Sequence, residues 1–484
     1  MKILHTGFEI RFGWLKDPRT WMVLVSLLGL ILRVEHALTF DGPKRGADYN
    51  VYVEGVRWTL EHRQAFNFSP SVNYQVRYQP PGWFVVAGVV LALTKSERAI
   101  ASLAVLGWAL RQYLLMKLLR QTVKNRWTQF VVLWLHSVLP LSVLIDGKVN
   151  SEGFHSTIFL VAAYALFRME RAARAQTRIG FRLAFAFGLL AGLCLLTKAT
   201  SVILVVTAAL VLGFRGFQLL REQGAHAAFA RIFGPALVSA AVWAACVGWW
   251  CGPNLVKYHH PFPHPWDLEP ATFHAGLEQP LFYRRPLGWA LPVEWSSYLS
   301  FPVIQGPKHP IPNFWAYSVI GTWSDLYNRG FCRLKGGPMT DQVWGGNGGF
   351  MSGGGAIWSV SYRCIDNFSR LAWAGLPLSF FAAFGTLSSA WHGLRRCGAT
   401  LVMPTLTLLG LFFVMLFALK YPLDDNAVLN PRYFMPIVAP MALCLGIWLD
   451  RLRPRSWQRA FVYSLTYAAT FAVSVFLVYQ RFGS

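Results

Sequence analysis

Acidic and basic side chains gather in four short stretches of an otherwise apolar chain. GADYN at 46–50 supplies Asp48, with Glu54 six residues further on. DGKVNSE at 146–152 supplies Asp146, Lys148, Asn150, Ser151 and Glu152, and LTKAT supplies Lys198. The last stretch holds Lys420, Asp424, Asp425 and Arg432, and ends in NPRYF with Tyr433. These are the two kinds of group needed to transfer a unit from a phosphate-linked lipid donor to a hydroxyl. A hydroxyl attacks poorly near neutral pH unless a carboxylate takes its proton, a contribution of ~10²- to 10⁴-fold. Asp48 is the candidate base. The departing phosphate needs cations beside it to stabilise its developing charge. Arg432 and Lys198 are the candidates, with Arg77 behind them. Glu54, Lys148, Asn150, Glu152 and Tyr433 are candidate substrate contacts.

Each residue also has a plainer reading. Asp48 could cap the helix that follows it, and Glu54 could sit on a solvated face. Lys148, Lys198 and Lys420 could snorkel to lipid head groups. Arg432 stands one turn before Pro436 at an expected helix start, where a cation opposes the helix dipole, and this favours a functional role. His259, His260 and His264 are loosely spaced like metal ligands but have no acid or thiolate beside them, so no metal residues are assigned. The chemistry requires no cofactor, and a divalent metal remains an open alternative. Cys332 and Cys364 could pair. Cys194, Cys246, Cys397 and Cys444 read as small membrane-core residues, and Cys251 falls at a boundary. There is no Rossmann glycine fingerprint or P-loop, which suits a donor that needs no soluble nucleotide.

The elements that position these groups are membrane helices. Hydrophobic residues make up 54% of the 484 residues and charged ones 14%, too few to coat several soluble cores. Mean hydropathy is +0.38. Aromatic content of 15% excludes disorder, and 7 cysteines exclude a disulfide scaffold. The net charge of +23 sits in short loops between apolar runs, so it reports topology and not a nucleic-acid partner. Apolar stretches near 20–40, 98–119, 127–146, 153–170, 182–197, 200–215, 232–250, 371–391, 400–419, 433–449 and 460–479 predict about eleven crossings. With that count, the Lys and Arg clusters near 2–19, 120–126, 168–182, 215–231, 395–396 and 451–459 all fall on the cytoplasmic side. All four chemistry-bearing stretches then share the opposite face. Residues 48–60 and 82–93 read as two helices at that outer face, the first an amphipathic helix lying on the membrane with Tyr49, Tyr52, Val53, Val56 and Leu60 on one side, the second interfacial or re-entrant. The ionisable residues are expected mainly at one face and not near the bilayer midplane.

Three regions result. Residues 1–250 form an N-terminal transmembrane catalytic module with the first outer loop at 41–97. Residues 251–370 form a large, irregular, partly ordered extracytoplasmic loop rich in Trp, Gly, Pro and His, and 371–484 are C-terminal transmembrane helices. The fold class is all-α integral membrane.

The order of these motifs resembles the GT-C superfamily of polytopic glycosyltransferases, which includes protein O-mannosyltransferases and lipid A aminoarabinose transferases. The likeness rests on ADYNVYVEGVR at 47–57, RYQPPGWFVV at 77–86, KVNSEGF at 148–154, LTKATS at 196–201 and PRYFMPIVAPMALCLG at 431–446. It implies an inverting transfer from a polyprenyl-phosphate sugar to a glycan, lipid or protein acceptor on the extracytoplasmic face of a bacterial plasma membrane. Asp48 would be the base, with Arg77, Lys198 and Arg432 on the donor phosphate. Asp48 is followed by Tyr49 where many relatives have Glu, and RYQ precedes Pro80 where relatives often have Lys. The competing readings are a flippase or transporter of lipid-linked sugars, and an O-antigen-type ligase or polymerase. A transporter would show an internal repeat and charged helices near the midplane, and no repeat is found.

Overall fold

The computed structural model describes residues 17–39, 47–63, 79–263, 295, 299, 314–323, 342–347, 357–396, 399–420, 431–452 and 456–482. Helix α1 (Pro18–Thr39) is followed by α2 (Ala47–His62), α3 (Gly82–Thr94) and α4 (Glu97–Thr122). Next come α5 (Arg126–Val138), α6 (Pro140–Asp146), α7 (Ser151–Arg174), α8 (Phe181–Thr197), α9 (Val202–Gln223) and α10 (Gly234–Tyr258). The chain then gives α11 (Phe314–Trp323), an antiparallel strand pair of β1 (Gln342–Asn347) and β2 (Ile357–Ser361), and α12 (Tyr362–Arg395). It ends with α13 (Val402–Lys420), α14 (Met435–Arg451) and α15 (Trp457–Phe482).

Each of the expected apolar stretches is helical. Among the described residues, seven helices are long and apolar enough to cross a membrane, or eight if the α5–α6 pair is one span. The chain is an α-helical, multi-pass integral membrane protein. Helix α7 has 24 residues but is more polar, because His155, Ser156, Thr157 and Glu170 are buried against its neighbours and not against lipid. Helix α10 runs past the expected boundary at 250, and α12 begins before 371. The stretch expected to be irregular contains α11 and the strand pair.

Two expectations change. The stretch 127–146 is not one straight helix: α5 and α6 meet at a 52° bend. Leu139 between them has an extended backbone (φ −61°, ψ 115°). A residue before proline is pushed out of the helical region, and Pro140 then starts the next helix. The apolar face of α2 also turns towards protein and not towards lipid. Tyr52, Val53 and Val56 pack with Trp83, Phe84 and Ala87 of α3 and Ile100 and Ala101 of α4, whereas Leu60 is exposed. Tyr49 donates to Glu97 Oε2 at 2.8 Å, and Arg57 pairs with the same carboxylate. Burial and the bond to Glu97 push the Tyr49 phenol up to about 12.

Helix α14 is the most enclosed of the spans and packs against α4, α5, α7, α12 and α13. Two glycines set its spacing. A Cβ at Gly446 would lie 3.1 Å from Val132 and 3.2 Å from Leu119, and one at Gly385 of α12 would lie 3.0 Å from the Leu445 Cα. At one end of the bundle the arginine-bearing loops are tied together. Asp450 accepts from the Lys124 and Asn125 amides, both at 2.9 Å. Glu170 accepts from Leu401 N at 2.7 Å and pairs with Arg215 at 3.2 Å.

Candidate functional site

At the other end, three segments far apart in sequence meet. The first is the start of α7, where the Asn150 side chain caps the helix by accepting from Glu152 N at 2.9 Å and Gly153 N at 3.1 Å. Its amide donates to Ile145 O at 2.8 Å, so Asn150 serves to fix the turn. The second is the break between α8 and α9, where Lys198 has an extended backbone before the tight turn Ala199–Ser201. The third is the turn Pro431–Phe434 that leads into α14.

Glu152 joins them. Lys198 Nζ lies 2.7 Å from Glu152 Oε1, and Arg432 Nε lies 3.5 Å from the same oxygen. The carboxylate side chain is 3% exposed, whereas Lys198 and Arg432 retain 18% and 19%. Two cations side by side repel one another, and a buried carboxylate between them holds both in place while leaving a net charge of +1. The Tyr433 ring backs the pair, with Lys198 Nζ at 5.1 Å and the Arg432 guanidinium carbon at 5.4 Å from its centre. The result is a fixed double-cation pair, partly exposed among the described residues, of the kind that can stabilise phosphate oxygens.

The neighbouring elements are packed onto this point. Tyr52 OH of α2 lies 3.3 Å from Ser151 Oγ, one residue before Glu152. A Cβ at Gly82 would lie 2.8 Å from Leu196 O, so the start of α3, after the buried Pro80 and Pro81, rests on the end of α8. His155 Nε2 lies 2.6 Å from Ser201 Oγ and locks the turn that follows Lys198.

The sequence candidates separate accordingly. Lys198, Glu152, Arg432, Tyr433 and Asn150 are brought together. Glu152 is buried and is the counter-ion of the two cations. Glu54 is exposed on α2, and Lys148 is half-buried in the turn before α7. Asp48 belongs to the first turn of α2, but its side chain lies outside the described residues, as do Arg77, Lys420, Asp424, Asp425, His264, Cys332 and Cys364. His259 ends α10, and His260 Nδ1 accepts from Phe262 N at 3.2 Å. Among the described residues no group of three or more His, Cys, Asp or Glu could hold a metal ion.

Not every ionisable residue near this end is open: one cluster is buried among the helices behind the first turn of α7. Asp146 is fully buried and bridges Arg33 of α1 (3.1 Å) and Arg111 of α4. Arg33 also donates to Gly29 O and Ser137 O, both at 2.8 Å, to Ser142 Oγ at 2.7 Å, and lies 4.1 Å over the Trp108 ring. Arg111 donates to Gly153 O at 3.2 Å, in the first turn of α7. Asp146 therefore holds the bundle behind the site and is not one of the open groups in the outer turn. The signal was present in Arg33 and Arg111, each a charge set among apolar residues inside an expected span. His155 and Ser201 carried no comparable signal.

No family model matches this sequence, and no curated protein matches it. Solved structures with a similar course of the backbone include the archaeal oligosaccharyltransferase AglB from Archaeoglobus fulgidus in complex with an inhibitory peptide and a dolichol-phosphate. It shows 15% identity and a TM-score of 0.45 over 96% of this chain and 56% of that one. ArnT from Cupriavidus metallidurans bound to undecaprenyl phosphate shows 15% identity and a TM-score of 0.45, over 94% of this chain and 64% of its own. The same ArnT in the apo state shows 13% identity and a TM-score of 0.48, over 97% and 76%. This chain thus spans a little over half of AglB and under two thirds of the ligand-bound ArnT chain. With identities this low, what the site does has to be read from this chain's own side chains.

Proposed function

We propose that this protein is an inverting glycosyltransferase that moves a sugar from a polyprenyl-phosphate donor to a hydroxyl acceptor at the extracytoplasmic face of the membrane. The observation that carries this reading is the pair of partly exposed cations, Lys198 and Arg432, clamped on the buried Glu152 beside the helix that bears Asp48. A phosphate held at a helix-bundle end, within reach of lipid, suits a donor that is itself a lipid. The acceptor oxygen attacks the anomeric carbon and passes its proton to Asp48. The bond from that carbon to the phosphate oxygen breaks, and the phosphate departs as an anion against Lys198 and Arg432. Attack from the face opposite the phosphate inverts the anomeric centre. The acceptor class is a glycan, a lipid or a protein hydroxyl. The gathering of arginine-rich loops at the opposite end of the bundle supports the outer location.

The test offers a panel of radiolabelled polyprenyl-phosphate sugars to the purified protein, wild type beside Asp48→Asn. Release or transfer of sugar by wild type alone supports the reading and names the donor. Tight binding of the lipid without release in both proteins would indicate a carrier or flippase instead.

A further inference from the structure

At the end of the bundle opposite Lys198 and Arg432, four cations border one cleft of about 670 Å³. Arg19 comes from the first turn of α1, Arg120 from the last turn of α4, Lys124 from the α4–α5 turn and Arg126 from the first position of α5. The remaining lining is polar (Gln121, Thr122, Gln129) or apolar (Met22, Val123), with no acidic residue among the described residues that line it.

An excess of Lys and Arg on one side of a membrane protein is ordinary, but these four border one cleft and differ from several of their neighbours. Many other arginines at this end are engaged. Arg215 pairs with Glu170, Arg231 donates to Gln176 O, and Arg178 and Arg221 lie over Phe181 and Phe217 at 4.5 and 4.4 Å. None of the cleft cations forms an ion pair among the described residues. Among the described residues two carboxylates lie nearby and accept from backbone amides and not from these side chains, Asp17 from Arg19 N and Asp450 from Lys124 N and Asn125 N. Arg126 also stands at a helix N-terminus, where its charge is unfavourable unless an anion offsets it. Trp21 and Trp127 are grouped with Phe130 beside the cleft, and tryptophans of this kind are enriched at the level of lipid head groups.

We infer that this cleft binds the phosphodiester headgroup of an anionic glycerophospholipid from the surrounding leaflet. Its size suits a headgroup, its cations come from two segments, the start of α1 and residues 120–126, and Met22 and Val123 give it an apolar part for the first carbons of the acyl chains. Binding there would join the start of α1 to the α4–α5 turn.

The experiment uses native mass spectrometry of the full chain in detergent, with added phosphatidylglycerol, phosphatidylcholine or polyprenyl phosphate. Three proteins are compared: wild type, the cleft variant Arg120→Gln/Lys124→Gln/Arg126→Gln, and a control, Arg178→Gln/Arg182→Gln/Arg221→Gln, which loses equal charge at the same end. The expected result is at least ten-fold preferential retention of phosphatidylglycerol by wild type and control, abolished in the cleft variant. Equal loss in both variants would overturn the site in favour of diffuse surface charge. Equal retention of phosphatidylcholine would overturn it as well. Retention of polyprenyl phosphate but not phosphatidylglycerol would reassign the cleft to the other lipid, and displacement by inorganic phosphate at matched ionic strength would reduce it to a free-phosphate site. Should the triple variant aggregate, Lys124→Gln alone, at an exposed turn position, is expected to lower retention by about three-fold, and unchanged retention would refute the inference.

Discussion

Replacing Glu152 by Gln keeps the side-chain volume and removes the charge that holds Lys198 and Arg432. At the observed separations of 2.7 and 3.5 Å, gross attractions are about 6 and about 5 kcal/mol with an effective dielectric constant of ~20. Desolvation of the carboxylate offsets much of this. Breaking a fully buried pair by removing one partner costs about 3–5 kcal/mol. Here the two cations keep contact with water, so the net loss should fall to about 2–3 kcal/mol, with the Lys198–Arg432 repulsion now uncompensated. The assay is reversible unfolding in mixed micelles for wild type, Glu152→Gln, Lys198→Met and the double variant. Because the pair is in direct contact, the cycle should return a coupling of about 1.5–3 kcal/mol. A coupling below about 0.5 kcal/mol would show that Glu152 does not hold Lys198, and the double-cation surface would lose its physical basis. The same variants should lose donor use out of proportion to their stability, since the cations would no longer be fixed relative to one another.

Arg432→Ala and Lys198→Met should each raise the KM for a polyprenyl-phosphate donor by about ten-fold or more, the loss of one charge-assisted contact worth about 1.5–3 kcal/mol; unchanged donor kinetics would remove that residue from the site. Asp146→Asn should cost about 3–5 kcal/mol, because it leaves Arg33 and Arg111 buried without their counter-ion, and it should show as loss of monodisperse protein on size exclusion; a well-folded variant would mean that water reaches the cluster. Gly385→Ala should destabilise by about 1–3 kcal/mol, since its Cβ meets the backbone of α14 and not a movable side chain, read as a lower midpoint in the unfolding assay.

The helices were legible because a bilayer demands long apolar runs, and those runs survive without any knowledge of the partners. Lys198 and Arg432 were legible for a related reason: parity places them at one face, where a cation has to be explained. What the sequence does not carry is pairing across distance. Asp146 sits in the same short stretch as Lys148 and Glu152, yet its partners are 113 and 35 residues away, and nothing local separates a buried counter-ion from an open acid. Glu152 shows the same limit, since its role depends on two cations that arrive from later helices. The bend at Leu139 was visible in the Leu-Pro step, but hydropathy, which averages over it, reads a single span. The lipid-facing reading of α2 failed because amphipathicity states that a face is apolar without stating what covers it.

The contact between Asp146 and Gly153 also bears on how this protein can vary. A Cβ at position 153 would stand 2.9 Å from Asp146 Oδ1 and 2.8 Å from the Ala104 Cβ, so any larger residue there would wedge the Asp146–Arg111 pair apart. Arg111 in turn reaches the carbonyl of the same glycine. Positions 33, 104, 111, 146 and 153 therefore form one substitution unit. A change at one is tolerable only with a matching change at another, so variants that remain folded should alter these sites jointly, and a single exchange within the unit should be the rarest kind recovered from random mutagenesis of the N-terminal helices.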